Sequence, residues 1–317
     1  MTGCTGFIGS NLAKKLVEKG NMLYGLVRHT AQGDLQPLKS IISKVRFIES
    51  DLTDYHSVAS AVESANPDFI VHLGALTPVR LSYENPFAFL RINLQGTCNL
   101  VHAILEVAPK ARLIHGSTAE VYGWQGKQAV DETARLRPSS PYGVSKSAAD
   151  EYVQMAGRTF GLKYTILRCN NTYGRKGERG FLVEYVITAI LDGGPVYIGA
   201  PAHVRDYMFV DDHVNAYVLS LEKGEAEGEI FNVSPGNPIT NLELARHISQ
   251  AMNYRGQIVE GSYPPGYPYR STKRDTEYIV LDASRIRDKL GWRPSVTLQE
   301  GLKTAINGWL EAQSKKT

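Results

Sequence analysis

Cysteine is scarce in this chain. Only three of the 317 residues are cysteines, and Cys4, Cys98 and Cys169 are too far apart to match a metal-binding or redox motif. This scarcity indicates a reducing compartment, in which the thiols act as small apolar side chains rather than as disulfides. From the same spacing we expect no metal site.

Long apolar runs and blocks of one charge are also missing. No apolar stretch approaches the about 18 residues of a membrane-spanning helix, and the chain starts Gly-rich and uncharged, unlike a secretory signal. The net charge is only +3 and the basic residues are dispersed, which does not favour nucleic acid as a partner. We therefore expect a cytoplasmic protein that binds neither membranes nor nucleic acid.

What the chain does contain is an alternation of strand-like and helix-like segments. Its composition, 43% hydrophobic and 21% charged, is ordinary for a globular protein with a real core. Strands are predicted at residues 23–27, 45–49, 69–73, 111–115 and 163–168. Helices are predicted between them, at residues 11–19, 57–64, 91–107 and 142–160. This order predicts an α/β fold, a doubly wound parallel sheet with helices on both faces.

Three glycines, Gly3, Gly6 and Gly9, open the first predicted helix. At this spacing the backbone can turn tightly and approach a diphosphate, to which the start of the helix offers unpaired N–H groups. The spacing differs from the common G-x-G-x-x-G, and the alternative is a Gly-rich helix start without a ligand. We favour a dinucleotide site, with loop contacts predicted at Gly3, Thr5, Gly6, Phe7, Ile8 and Gly9.

A first strand should lead into this glycine loop, yet only Met1 and Thr2 precede Gly3. We expect either that the native start lies upstream or that the numbered chain lacks most of this strand. Because the strand would be central in the sheet, its loss should be costly for stability.

The glycine loop indicates how the chain is divided into domains. We interpret residues 1–170 as a dinucleotide-binding Rossmann-type domain, to which later segments return. After Tyr173 the pattern becomes less regular, and helices resume at residues 181–191, 241–252 and 298–309. We interpret residues 171–317 mainly as a smaller, partly interleaved substrate-binding domain.

Arg28, after the strand at residues 23–27, bears on the choice between NAD and NADP. NAD-binding folds usually place Asp or Glu here for the ribose 2′-hydroxyl, whereas Arg accommodates a 2′-phosphate. Arg28 thus slightly favours NADP, with an ordinary surface arginine as the alternative. Asp51 either accepts from the adenine amino group or caps residues 52–55. Further cofactor contacts are predicted at Leu52, Leu73 and Ala75.

Tyr142 and Lys146 share one face of the helix that starts after Ser140-Pro141, because positions i and i+4 are neighbours on a helix. Lys146 would lie beside Tyr142, stabilise its phenolate and lower the pKa of the phenol from its usual value of about 10. Such a tyrosine can exchange a proton with a substrate hydroxyl near neutral pH. The Tyr-x-x-x-Lys pattern alone is weak, and its value depends on the motifs around it.

Several motifs support one resemblance because they occur in a single order. After the glycine loop come Ser117-Thr118-x-x-Val-Tyr-Gly123, Tyr142-x-x-x-Lys146, Arg168-Cys-Asn-Asn171-Thr-Tyr-Gly174, Val204-Arg205-Asp206 and Leu290-Gly-Trp292-x-Pro294. With these motifs the chain resembles the extended short-chain dehydrogenases/reductases. More narrowly, it is similar to the nucleotide-sugar epimerase/dehydratase group, over nearly its whole length.

The resemblance implies that NAD(P)⁺ takes hydride from C4 of a nucleotide-linked hexose while Tyr142 removes the O4 proton. It also implies that Lys146 holds the nicotinamide ribose and that Thr118 hydrogen-bonds the reacting oxygen. Asn93 matches the family's helix asparagine among the cofactor contacts, with backbone support as its alternative role. The positions that match residues holding the nucleotide diphosphate are Asn171, Arg205 and Arg270, with Arg274 close to the last.

Glu120 and Ala119 bear on the step that follows oxidation. In the family's 4,6-dehydratases a Thr-Asp-Glu or Thr-Ser-Glu triplet occupies this place, and the glutamate removes the C5 proton while water leaves from C6. Glu120 therefore favours a 4,6-dehydratase, whereas Ala119 cannot act as an acid and leaves a UDP-glucose 4-epimerase-like reaction open. A decarboxylase, a 4-keto reductase or a non-catalytic NADP-binding sensor are further alternatives. The resemblance also implies a homodimer, formed through the helices at residues 91–107 and 142–160.

Overall fold

The strands occupy most of the positions that the sequence predicts. The computed structural model of the protein describes residues 1–266 and 276–314. The strands predicted at residues 23–27 and 45–49 have the predicted bounds, and the strand predicted at 69–73 ends one residue earlier, at His72. The strands predicted at 111–115 and 163–168 each start one residue later than predicted and extend further, to Thr118 and Cys169. The strands are β1 (Leu23–Val27), β2 (Val45–Glu49), β3 (Phe69–His72), β4 (Arg112–Thr118), β5 (Tyr164–Cys169), β6 (Asn171–Tyr173), β7 (Val196–Ile198), β8 (Val204–Phe209), β9 (Glu229–Val233), β10 (Pro238–Thr240), β11 (Ile258–Glu260) and β12 (Tyr278–Ile279).

The helices depart from the prediction mainly at their starts. The first begins at Phe7 rather than at residue 11, because the glycine loop leads straight into it. They are α1 (Phe7–Glu18), α2 (Tyr55–Ala65), α3 (Val79–Glu84), α4 (Pro86–Phe89), α5 (Gly96–Val107), α6 (Pro141–Phe160), α7 (Leu182–Leu191), α8 (Val210–Glu222), α9 (Asn241–Ala251), α10 (Ser284–Leu290) and α11 (Leu298–Ser314). A long 3-10 segment covers His29–Lys44, and short ones cover Ala119–Val121 and Gly224–Ala226. The first turn of the helix predicted from residue 91 is π-helical, Leu90–Gln95, and leads into α5. Among the helices described, none has the length and apolar character needed to span a membrane.

Local signals fix both ends of α6, the helix that carries Tyr142 and Lys146. The Ser140 side chain accepts a hydrogen bond from the Gly143 amide at 3.0 Å, and Pro141 occupies the first helical position, where its missing N–H is not needed. Gly161 ends the helix with φ +71°, a conformation that glycine adopts without strain.

The parallel sheet confirms the predicted fold class. β1 pairs with β2, and β3, β4, β5 and β9 follow one another in parallel pairs. Thr2 bridges the two groups, since it lies opposite both Leu26 of β1 and His72 of β3. Met1 and Thr2 are therefore the only part of the chain between these two strands in the described residues, in the place where the sequence predicts a central strand.

Helices cover both faces of the sheet. Leu12 and Leu16 of α1 pack in one cluster with apolar residues of α8. Val62 of α2, Leu100 of α5 and Val153 of α6 belong to a second cluster on the opposite face. A parallel sheet that is buried on both sides opens to solvent only at its ends and edges, and this positions the functional site.

The second half of the chain returns to the first sheet and also forms a smaller sheet of its own. β9 pairs with β5 in the first sheet. β8 pairs with β6, β10 and β12, and β7 pairs with β11 beside α7 and α9. Residues 1–170 and 171–317 as domain limits remain a prediction.

Candidate active site

A cleft of about 610 Å³ lies at the carboxyl ends of the parallel strands, where ligands bind in folds of this kind. Residues that follow β1, β2, β3, β4 and β5 all contribute to its walls. The structure thus brings together most of the predicted site: Gly3, Thr5, Gly6, Phe7, Ile8, Gly9, Arg28, Asp51, Leu52, Leu73, Ala75, Thr118, Glu120, Tyr142, Lys146 and Asn171 line this cleft.

The glycine loop approaches its neighbours so closely that side chains are excluded. Gly3 has φ +66°, and a Cβ placed there would lie 2.6 Å from the carbonyl carbon of Leu73. A Cβ on Gly9 would lie 2.0 Å from the oxygen of Gly3. Gly6 precedes α1 without a side-chain cap, and the first turn contains no acidic residue. This loop fits a dinucleotide, because the free N–H groups at the helix start can bind its diphosphate.

Arg28 and Asp51 lie together at the end of the cleft beside β1 and β2. Asp51 accepts hydrogen bonds from the amide and the hydroxyl of Thr53, at 2.8 and 2.9 Å, and these bonds lower its pKa. The charge of Arg28 lowers the pKa of Asp51 further. Asp51 therefore closes a turn, while its carboxylate remains at the wall of the cleft.

Thr118, Glu120 and Tyr142 meet where β4 ends. β4 continues to Thr118, whose hydroxyl accepts from the Glu120 amide at 3.3 Å and so starts a short 3-10 turn. Burial raises the pKa of Tyr142, a hydrogen bond with Thr118 lowers it, and the charge of Glu120 raises it again. The three side chains are thus close enough to influence the same proton.

Lys146 lies one helical turn beyond Tyr142 and is buried. Its ammonium donates a hydrogen bond to the carbonyl oxygen of Gly116 on β4. Burial lowers the pKa of Lys146 to about 8, and the charge of Asp150 opposes this shift. The pKa of Tyr142 lies above its ordinary value, contrary to the direction that the Tyr–Lys spacing predicts, because burial outweighs the hydrogen bond with Thr118 and the charge of Arg175.

A buried ion pair fixes α6 to the strands beneath it. The guanidinium of Arg168 on β5 binds both carboxylate oxygens of Asp150 on α6, at 2.9 and 3.0 Å. The hydroxyl of Ser117, the residue before Thr118, donates to the same carboxylate at 2.7 Å. Asp150 thus links the helix that carries Tyr142 and Lys146 to the ends of two strands.

Three predicted residues are not among those that line the cleft. Asn93 is buried and bonds the backbone of Leu76 and the hydroxyl of Ser145, which matches its alternative, supporting role. Arg205 is buried and donates to the carbonyl oxygens of Val204 and Thr276. Arg270 lies outside the described residues, as does Arg274.

Arg175 is the main cleft residue that sequence reasoning missed. Its guanidinium lies 4.5 Å from the ring centroid of Phe7 in the glycine loop and 3.6 Å from that of Phe181 before α7. Its charge also lowers the pKa of Tyr142. The only signal in the sequence was its place directly after the Tyr-Gly pair of the Arg168–Gly174 motif.

A glycine loop at a helix start, a parallel sheet and a Tyr–Lys pair at the strand ends together define a Rossmann-type, dinucleotide-dependent enzyme. Comparison with known proteins narrows this class. A family model described as GDP-mannose 4,6 dehydratase matches residues 1–305. The chain therefore belongs to this family, the NAD-dependent nucleotide-sugar epimerases and dehydratases of the extended short-chain dehydrogenase/reductase type.

Individual relatives carry both activities in their names. The chain is similar to a dTDP-glucose 4,6-dehydratase of Xanthomonas campestris pv. campestris, 31% identical over 99% of this chain and 93% of the relative. Among solved structures, it resembles the UDP-glucose 4-epimerase of Thermotoga maritima with UDP-glucose (TM-score 0.88, 30% identical, 98% of each chain). It equally resembles a dTDP-glucose 4,6-dehydratase of Streptomyces venezuelae with NAD bound (TM-score 0.88, 29% identical, 99% of this chain and 97% of the other).

Proposed function

We propose that the protein is a nucleotide-sugar 4,6-dehydratase, which oxidises a nucleotide-linked hexose transiently at C4 and eliminates water across C5 and C6. The observation that carries this proposal is the position of Glu120, in the same cleft as Thr118 and Tyr142 and near enough for its charge to act on the phenol. A 4-keto group acidifies the C5 proton, so a positioned carboxylate suffices as the base.

Tyr142 and Thr118 act on the oxygen at C4. Tyr142 takes the O4 proton, and the Thr118 hydroxyl, which bonds the phenol, orients the same oxygen. Lys146 supplies a buried positive charge one helical turn away and favours the phenolate. The bound nicotinamide cofactor would supply the hydride acceptor for C4 and, in its reduced form, the hydride donor for C6 once water has left.

In the elimination, the protein supplies the base, Glu120, but position 119 supplies no acid. Glu120 removes the C5 proton. Ala119 has no acidic group, so the proton for the departing C6 oxygen comes from water or from Glu120 after it has been protonated. We assign the nucleotide diphosphate to Asn171, which lies at the cleft wall. Arg205 and Arg270 match the family's diphosphate positions and are proposed for the same ligand on that ground alone, since Arg205 does not line the cleft and Arg270 lies outside the described residues.

The cofactor preference rests on Arg28. An arginine at this end of the cleft can pair with a 2′-phosphate, which favours NADP, whereas the solved dehydratase relative carries NAD. Binding of NADP and of NAD to Arg28→Ala tests the assignment. Loss of affinity for NADP alone supports it, and an equal change for both cofactors contradicts it.

Mass spectrometry of the product tests the proposed reaction. Incubation with GDP-, UDP-, dTDP- and CDP-hexoses is expected to give a product lighter by one water. Glu120→Gln should lower dehydration by roughly 10²- to 10⁴-fold, because the base is lost. The variant should still reduce its bound cofactor on mixing with substrate, whereas Tyr142→Phe should block that first step.

The other outcomes are equally specific. Unchanged mass with a new isomer identifies a 4-epimerase, the alternative that Ala119 and the Thermotoga relative favour. Loss of carbon dioxide from a nucleotide-linked uronic acid identifies a decarboxylase. Full dehydration by Glu120→Gln contradicts the role of Glu120, and a cofactor that no nucleotide sugar reduces contradicts the enzyme.

We also propose a cytoplasmic homodimer that forms through the face of α4, α5 and α6. This face exposes apolar side chains, with Phe87 79% and Val144 45% exposed. Light scattering should give twice the mass of the chain, and Phe87→Glu should shift it towards the monomer. A monomeric parent protein would contradict this arrangement.

A further inference from the structure

Arg175 lies between the glycine loop and the segment that precedes α7. Its guanidinium lies over the ring of Phe7, 4.5 Å from the centroid, and over the ring of Phe181, 3.6 Å from the centroid. Phe7 is the first residue of α1, directly after Gly6 of the glycine loop. Arg175 therefore places a positive charge beside the start of α1.

The groups around this guanidinium hold it in place without using all of its five N–H donors. Its Nη1 donates to the carbonyl oxygen of Thr172. The carboxylates of Glu178 and Glu184 lie 3.5 Å from Nε and 3.9 Å from Nη1, which is too far for good hydrogen bonds. Glu184 instead accepts from the amides of Gly174 and Arg175, both at 3.0 Å. Because the guanidinium is stacked on aromatic rings, its remaining N–H groups point outwards from its edge and can bind a ligand.

The other cationic side chains of the cleft lie elsewhere. Among the residues that the structure describes, the lysines and arginines that line the cleft are Arg28, Arg91, Lys146 and Arg175. The charges of Arg28 and Arg91 lower the pKa of Asp51, so both lie near that carboxylate. The ammonium of Lys146 donates to a carbonyl oxygen of β4. Of these four cations, Arg175 is the one that lies against the start of α1.

The start of α1 suits an anion. The first amides of a helix lack partners within the helix and can bind a phosphate group. The first turn of α1 contains no acidic residue that would repel such a group. A guanidinium binds phosphate oxygens through paired, charge-assisted hydrogen bonds. A diphosphate at this place would therefore meet backbone amides from α1 and the side chain of Arg175.

We propose that Arg175 is a cofactor-binding residue, whose guanidinium pairs with the diphosphate of the dinucleotide and holds it against the start of α1. Phe7 and Phe181 orient the guanidinium before the ligand arrives, so little side-chain freedom is lost on binding. The role requires only that the protein bind the dinucleotide, and it does not depend on the reaction that follows oxidation at C4. The charge of Arg175 also lowers the pKa of Tyr142, so the same side chain acts on the proposed base.

Calorimetric titration of the cofactor-free protein tests this role. Two ligands are compared, ADP-ribose, which carries the diphosphate, and adenosine, which does not. Arg175→Gln removes the charge. Arg179→Gln is the matched control, because Arg179 is an exposed arginine of the same segment. Phe181→Leu removes one of the two rings but keeps the bond between Arg175 and Thr172.

Arg175→Gln should weaken the binding of ADP-ribose by roughly 10- to 100-fold, because charge-assisted bonds to the diphosphate are lost. Phe181→Leu should weaken it by roughly two- to fivefold, through the lost stacking of the guanidinium. Adenosine should bind all variants as it binds the parent, and Arg179→Gln should bind both ligands normally. Unchanged binding of ADP-ribose to Arg175→Gln, or an equal loss for adenosine, would overturn the proposal. If Arg175→Gln does not fold, unchanged binding of ADP-ribose to Phe181→Leu overturns it instead.

Discussion

Tyr142 and Lys146 respond to burial in opposite directions. Burial raises the pKa of the phenol and lowers the pKa of the ammonium to about 8. The phenol therefore keeps its proton through the neutral range, while Lys146 loses its charge as the pH rises through about 8. The positive charge that favours proton removal from Tyr142 is thus available below that pH.

This gives a prediction for the pH dependence of catalysis. kcat/KM should fall as the pH rises through about 8, because this parameter reports groups of the free enzyme and Lys146 is deprotonated there. Lys146→Arg keeps a permanent cation and should lose the alkaline limb, although its rate near neutral pH should be lower. Profiles of both proteins check this. An unchanged alkaline limb in the variant would assign the ionisation to another group.

The places of residues at the cleft were predictable where they depend on near neighbours in the sequence. The Tyr142–Lys146 pair and the glycine loop are local patterns, and the structure places both at the cleft. Asn93 and Arg175 depend on partners brought in by tertiary folding, Leu76 and Ser145 for the first and Phe7 for the second. No spacing of residues in the sequence predicts such tertiary contacts. The sequence therefore does not decide between the two roles of Asn93 and does not indicate Arg175 as a cleft residue.

At the scale of elements, α6 depends on one buried carboxylate for its position. Asp150 receives two bonds from Arg168 and one from Ser117, and its side chain is fully buried. Glu151, the next residue of the same helix, is exposed. The two acids therefore form a matched pair for separating a structural charge from a surface charge.

Asp150→Asn is expected to destabilise the protein by roughly 3–5 kcal/mol, because it leaves the Arg168 guanidinium buried without its counter-charge. Glu151→Gln should change the free energy of unfolding by no more than about 0.5 kcal/mol. Urea unfolding measures both. The charge of Asp150 also opposes the lowering of the pKa of Lys146, so the alkaline limb of Asp150→Asn should move to lower pH. Similar stability of the two variants would contradict the role of the ion pair.

The limits of elements were predictable where capping residues mark them. Ser140 and Pro141 fix the start of α6 because a hydroxyl and a missing N–H act locally. The helix predicted from residue 91 is present, but its first turn, Leu90–Gln95, is π-helical rather than α-helical. Asn93 in this turn bonds the backbone of Leu76, a distant contact that no local signal in the sequence reports. β4 extends to Thr118 because its partner β5 continues alongside it to Cys169.

At the scale of the whole molecule, the segment between α10 and α11 binds the second half of the chain to α8. Trp292 is completely buried and its indole N–H donates to the oxygen of Asp212 at 3.0 Å. The carboxylate of Asp212 accepts from the amide and hydroxyl of Ser295, at 2.8 and 2.7 Å. Together these bonds fix the segment before α11 against α8, which packs on the large sheet.

Trp292→Ala should therefore destabilise the protein by about 3–5 kcal/mol, through lost burial and the cavity left behind. Trp124, 46% exposed, is the matched control, and Trp124→Ala should change stability by no more than about 0.5 kcal/mol. Guanidinium unfolding checks both values. Comparable losses would show that the indole of Trp292 does not hold this junction.

The parallel sheet was predictable as a whole because alternating strands and helices permit few other arrangements. The return of β9 to β5, and the mixed sheet around β8, were not predicted in detail. These pairings join segments far apart in the chain and depend on packing rather than on local pattern.

The pairing of β5 with β9 has a consequence for biosynthesis. A ribosome releases the chain from its amino end, so β5 becomes available long before β9, which ends only at Val233. Until then the edge of β5 is exposed, and so is the face of α1 that α8 later covers. The large sheet therefore closes late, through contacts of high sequence separation, and its open edge is where a nascent chain is vulnerable to aggregation.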